Sequence, residues 1–221
     1  ASCLPVDFAL LSSSDAQKRL GHNLKAMDRR CCANQRRREA TIKATEHLKE
    51  MVNRAFKAGL TARYLLMDSW FTMPATVSSL AGLIPVIGMV KKIRTVHYRF
   101  QEQSLDLMAI YRRLRKRRGR AKILASTVVT LSSGLSCKLV FIRDRTNGDW
   151  LAILSTDIDL PDKEIVRIYG KRWDIEVFFK MIKQHLRLAK EIQCRDFDAL
   201  IGHTSIVFMR YMFLAYHCRM S

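Results

Sequence analysis

Between Leu4 and Ser13, the apolar residues Val6, Phe8 and Leu10 alternate with Asp7 and Ala9, the two-residue period of a half-buried strand. A basic, polar connection follows over residues 15–43. From Asn34 to Ala58 the period changes: Ala44, Leu48, Met51, Val52, Ala55 and Phe56 fall at helical spacing, and Gly59 supplies a stop. "ARYLLMD" then reads as a short buried strand ending at Asp68, "MPATVSSLAGL" as a short helix and "IPVIGMVK" as a second buried strand. A strand, a crossing helix and a strand in that order predict parallel pairing.

From Ile93 to Leu154 the signals are strands broken by turns: "TVHYRF", "KILASTVVTL", "CKLVFIRD" and "WLAILS", with "TNGD" as one turn. This predicts a β-rich, antiparallel stretch. Pro161, followed by Asp162 and Glu164, suits the first turn of a helix, where proline's missing donor costs nothing and acids meet the positive end of the helix dipole. That helix, begun near Pro161, runs on through 167–186, "RIYGKRWDIEVFFKMIKQHL", and residues 196–218 read as a last helix apolar enough to pack on the core. The fold class expected is α/β. Its core is divided between residues 1–92 and 155–221, with 93–154 inserted as a basic, β-rich piece.

Composition narrows the function. Thirty-nine Lys and Arg against twenty Asp and Glu leave a formal charge of +19, which favours a polyanionic partner through phosphate neutralisation and counterion release. In "RRLRKRRGRAK", residues 112–122, eight of eleven side chains are basic, so Arg112, Arg113, Arg115, Lys116, Arg117 and Arg118 are candidate phosphate contacts. "RRCCANQRRR" is a second basic patch, flanked by Asp28 and Glu39. The six cysteines show no zinc-site spacing and read as reduced thiols, and His203, His217 and Cys218 read as core or surface residues. Trp70 and Trp173 read as core packing. With no signal-peptide start and no long apolar run, the chain reads as intracellular, with no membrane partner.

On a continuous helix, at roughly 100° per residue, Tyr169, Glu176 and Lys183 drift only about 20° per seven-residue step, and Arg172 lies one turn before Glu176. All four share one stripe of an otherwise apolar helix. Arg–Glu pairs on a solvated face would account for such a stripe. A carboxylate beside a phenol, a guanidinium and an ammonium also suits a site that holds a metal ion and the phosphate it acts on. Asp68, at the C-terminal end of a buried strand, is either a helix N-cap or a second carboxylate of that site.

The gaps Tyr169, two residues, Arg172, three residues, Glu176, six residues, Lys183 resemble the Tyr-Arg-Glu-Lys signature of DDE transposases of the insertion-sequence-four group. "YLLMDSWF" is similar to that family's second catalytic aspartate segment, and "LPVDFALLSS" to its early core strands. The resemblance covers nearly the whole chain. It implies a ribonuclease-H-like mixed sheet flanked by helices, with a β-rich insertion before the glutamate-bearing helix. It also implies Asp68 and Glu176 as catalytic, metal-binding carboxylates for Mg²⁺ or Mn²⁺, and Tyr169, Arg172 and Lys183 as contacts to DNA ends. A homodimeric end complex in a prokaryotic, nucleoid-associated setting belongs to the same implication.

The family's first catalytic aspartate lies on a strand expected ahead of "LPVDFALLSS", so an upstream piece is expected to carry it. Asp7 reads as a neighbour of that motif. A DNA-binding remnant without catalysis and a metal-dependent nuclease on the same fold remain the other readings, distinguished by an upstream aspartate and by strand-transfer products.

Overall fold

The computed structural model describes residues 3–19, 28–119, 121–144, 148–190, 192–194 and 196–220. In chain order its elements are a 3-10 turn at Ala16–Lys18, helices α1 (Cys32–Glu39) and α2 (Ala44–Lys57), strand β1 (Leu65–Met67), helix α3 (Pro74–Ala81), strands β2 (Val86–Val90), β3 (His97–Phe100) and β4 (Gln103–Asp106), helix α4 (Leu107–Arg113), strands β5 (Ile123–Thr130), β6 (Ser136–Arg143) and β7 (Trp150–Ser155), and helices α5 (Asp162–Gly170), α6 (Trp173–Gln184) and α7 (Phe197–Met220). The chain forms two compact units, Thr61–Arg172, and Ala1–Leu60 with Trp173–Ser221.

The first unit is an α/β layer built on one sheet, ordered β1-β2-β7-β6-β5-β3-β4 among the described residues. β1 and β2 run parallel, as the crossing helix α3 requires, and every other pairing is antiparallel. This mixed sheet flanked by helices is consistent with a ribonuclease-H-like transposase fold. Residues 93–154 supply five of its strands, β3 to β7, all ahead of α6.

Burial explains the different sequence textures of these strands. In β3 the exposed His97 and Arg99 alternate with the buried Tyr98 and Phe100, so one face is wet. In β6 and β7, Leu139, Val140 and Phe141 and then Ala152, Ile153 and Leu154 are buried in succession, because both faces are covered. Helix α5 covers part of the sheet through Ile165, Val166 and Tyr169, which cluster with Ile87, Ile123, Val140 and Ile153. Each such aliphatic side chain contributes about 1.5–3 kcal/mol by leaving water. All six cysteines are free, and burial pushes the Cys137 thiol up to about 12, which keeps it unreactive at neutral pH.

The second unit is helical. Phe178, Ile182 and Leu186 of α6 and the turn after it pack with Val207 of α7, and Phe178 meets the ring edges of Phe208 and Tyr211 at 5.2 and 4.8 Å. Arg37 of α1 grips Asp198 at the start of α7 with two nitrogens.

Several expectations need correction. Residues 4–13 form no strand: the Ser12 N–H donates to the Ala40 carbonyl, and Asp7 turns its carboxylate to Arg36 and Arg54. The helix expected over 34–58 is two, because Ala40 to Lys43 form a turn between α1 and α2. The helix expected over 167–186 is also two. Gly170, a poor helix former, ends α5, and Lys171 and Arg172 donate to carbonyls only three residues back, at 3.0 and 2.9 Å. The four polar residues therefore do not share one helical stripe.

Helix α7 packs on α6 as expected, but through one face only. Phe197 and Val207 are its buried residues, while Ile206, Met209, Phe213, Tyr216 and Met220 are more than half exposed. By length and composition α7 could cross a membrane, and only 11% of its apolar window is buried. Trp70 and Trp173, expected in the core, are each 65% exposed. The "TNGD" turn falls partly at residues 145–147, and Arg120 of the basic run likewise lies outside the described residues.

Candidate functional site

Asp68 is the first residue past β1, so its position follows from where a three-residue apolar strand ends. It is no helix cap. The residue capping α3 is Met73, and Asp68 instead organises the loop between them: Oδ1 accepts from the backbone N–H of Trp70 at 2.8 Å and of Phe71 at 3.2 Å. Oδ2 accepts no hydrogen bond among the described residues. The Asp68 carbonyl accepts from the Thr72 hydroxyl at 2.6 Å and the Thr72 N–H at 3.2 Å, closing the loop on itself.

Thr72 is buried against Gly88 of β2, the residue paired with Met67, and only a glycine leaves it room. A Cβ at Gly88 would stand 2.2 Å from Thr72 Oγ1 and 2.8 Å from its Cγ2. Gly88→Ala is therefore expected to expel the Thr72 hydroxyl from its bond to Asp68, costing about 1–3 kcal/mol of stability in chemical denaturation. Unchanged stability would mean that Thr72 does not hold this loop.

Tyr169 and Arg172 belong to the same unit. The Tyr169 ring is buried, and Arg172 carries its guanidinium 5.9 Å from the ring centroid. Burial pushes the Tyr169 phenol up, the charge and hydrogen bond of Arg172 pull it down, and the nearby charge of Asp68 pushes it up again; the net shift is upward. Arg172 and Asp68 thus both act electrostatically on Tyr169. On the other side of the loop, Lys91 lies with its ammonium 4.0 Å above the exposed Trp70 ring. Glu176 and Lys183 lie on α6, in the helical unit; both are exposed, and the Lys183 ammonium sits 5.6 Å from the Phe179 ring.

The basic run begins on a helix that sequence reading missed. Asp106 caps α4 by accepting from the Ala109 N–H at 2.6 Å, and Leu107 and Ile110 bury one face. Arg112, Arg115 and Arg118 are exposed, and Arg113 bonds Gln103 at 2.6 Å. Lys116 folds back onto the Arg112 carbonyl and the Tyr111 ring, while Arg117 lies 3.8 Å from Asp162.

One cluster had no expectation attached. Glu39, at the end of α1, and His47 and Glu50, one turn apart on α2, place three donor atoms within 4.8 Å of one another, close enough to hold a metal ion. Glu39 Oε2 and His47 Nδ1 are buried without a hydrogen-bond partner among the described residues. The charges around them favour an ion-pair lattice. Arg54 bridges Asp7 and Glu39, Arg36 approaches both, and His47 stands 3.5 Å from Glu39 and 3.6 Å from Glu50. A divalent ion would add its charge beside two guanidinium groups.

A family model described as the transposase DDE domain matches residues 30–213. A 44-residue stretch is 41% identical to "Putative transposase y4zB" of Sinorhizobium fredii, covering 20% of this chain and 12% of that protein. No solved structure matches the chain. The family match takes in β1 with Asp68, the whole sheet and both helices that carry Tyr169 and Glu176, and on that extent the chain belongs to the family of transposase DDE domains.

Proposed function

We propose that this chain is the catalytic part of an insertion-sequence transposase of the insertion-sequence-four group, which cuts DNA ends and joins them to a target by metal-dependent phosphoryl transfer. The observation that carries the reading is Asp68 at the C-terminal end of β1, with one carboxylate oxygen fixed by two backbone N–H groups and the other accepting no hydrogen bond among the described residues. An anchored carboxylate with an open oxygen fits a hard divalent cation, which takes oxygen ligands and keeps several waters.

Asp68 and Glu176 are the residues we assign to hold Mg²⁺ or Mn²⁺. When bound, a pair of such ions neutralises the phosphate and supports the attacking and leaving oxygens. Arg172 and Lys183 bind phosphate oxygens at the DNA end, with Arg172 offering the planar fork that suits them. Tyr169, kept protonated by its upward-shifted phenol, offers a hydroxyl donor to the same strand. Residues 93–154 act as the DNA-facing segment, with Arg112, Arg113, Arg115, Lys116, Arg117 and Arg118 as phosphate contacts. DNA ends and target are the substrates, and the end complex is a homodimer.

The test is a strand-transfer assay with DNA carrying the element's terminal sequences, in Mg²⁺ or Mn²⁺, run on this chain extended upstream through the strand expected to carry the first catalytic aspartate. Cleaved ends joined to a target plasmid are expected. Cleavage without joined products would make the protein a nuclease, and binding with neither would make it a DNA-binding remnant.

A further inference from the structure

A groove of about 500 Å³ opens within the sheet-bearing unit, lined by Arg117, Ala121, Lys122, Ile123, Lys163, Val166 and Arg167. Its floor is apolar: Ile123, at the start of β5, and Val166, on α5, belong to the buried cluster beneath. Its walls carry four cations from separate places in the chain. Lys163 and Arg167 stand one turn apart on α5, roughly 6 Å along its axis, and Arg117 and Lys122 come from the segment before β5.

All four cations are exposed. Lys122 and Lys163 have no side-chain partner among the described residues, Arg117 is only 3.8 Å from Asp162, and Arg167 has Glu164 as its partner on the same helix. Four cations against two acids leave the groove positive. Such an excess over an apolar floor is not what internal ion pairing needs, since two of the charges have no side-chain partner among the described residues.

We propose that this groove binds the sugar–phosphate backbone of one DNA strand, its cations meeting successive phosphates and Ile123 and Val166 meeting the sugar faces. The inference rests on the reading of the chain as a DNA transposase, and it adds Lys122, Lys163 and Arg167 to the contacts. The row from Lys163 to Arg167 runs towards the end of α5 that carries Tyr169, so a strand in the groove is led towards the Asp68 loop. The contacts proposed are to phosphates and sugars, so the groove's contribution is the same for all sequences.

The experiment measures DNA affinity against salt for the unaltered protein and for the triple variant Lys122→Gln, Lys163→Gln, Arg167→Gln, using single-stranded DNA, duplex DNA and RNA of one sequence. These are surface positions, and a thermal melt checks that the variant folds. A slope of log affinity against log salt flatter by about 2 to 3, with roughly tenfold or greater weakening on both DNA forms, is expected. A set at Arg112, Arg113, Arg115 and Arg118 runs beside it. If the unaltered protein binds DNA and that set flattens the slope while the triple variant does not, the groove assignment is overturned and the transposase reading stands. If the unaltered protein binds no DNA, both fall. A loss seen with RNA alone would also overturn the groove as a DNA site.

Discussion

Asp68→Asn is expected to lower DNA cleavage by at least about 100-fold while leaving stability and DNA affinity nearly unchanged. Asparagine keeps an oxygen where Oδ1 accepts the N–H groups of Trp70 and Phe71, so the loop keeps its shape. The negative charge on the open oxygen is what disappears. Groups that merely orient a metal ligand already cost 10–100-fold when removed, and a ligand itself should cost no less. Glu176→Gln should match it. Single-turnover cleavage by the chain extended upstream through the expected aspartate-bearing strand, with a binding titration on the same DNA, separates the effects. A variant that cut at the normal rate would remove Asp68 from the metal site.

Arg54→Met should cost about 2 kcal/mol of stability at neutral pH, between the about 0–1 of an exposed ion pair and the about 3–5 of a fully buried one, since the Arg54 side chain is half-buried. Methionine keeps most of the apolar stem, so what is lost is the charge. Arg54 joins Asp7, at 2.7 Å, to Glu39, whose side chain is only 6% exposed, and without it both carboxylates keep only weaker partners. The pH dependence identifies the cause. Burial pushes the Asp7 carboxyl up, but the hydrogen bonds and charges of Arg54 and then Arg36 outweigh it and leave the group below its usual range. A depressed carboxyl stabilises the fold fully above its unfolded value of about 3.9, and that stabilisation is lost as pH falls through the folded value. The gap between parent and variant should therefore narrow in acid. Urea denaturation at pH 7 and pH 3 measures it, and an equal gap at both would trace the loss to packing.

What could be read from the chain was whatever local pattern decides. The apolar runs around Leu66 and Ile87 gave β1 and β2 and their parallel pairing, and the alternation at His97–Phe100 gave a half-wet strand. "LPVDFALLSS" has the same alternation and is no strand, because alternation states which side chains prefer burial, while a strand also needs a neighbouring backbone. Asp7 finds guanidinium groups from two helices instead. The 167–186 pattern continued through Gly170 because periodicity counts side chains and does not register a break in backbone hydrogen bonding. At the candidate site, the place of Asp68 at the end of β1 was legible from the apolar run before it. Thr72 and Gly88 were not, since their closeness arises only when β2 lies beside β1. Glu39 and His47 are eight positions apart across a turn, and only His47 and Glu50, at helical spacing, left a trace in the sequence.

The strand order also sets a timetable. β5, β6 and β7 are neighbours in both sequence and sheet, so their pairing closes only short loops. β2 must wait, because its antiparallel partner is β7, with Ile87 opposite Ser155, and everything between them has to be made first. Non-local pairings of this kind form slowly. During synthesis β1 and the Asp68 loop therefore emerge before the strand that anchors their neighbour exists. The aspartate is made early and positioned late, by the part of the chain that follows it.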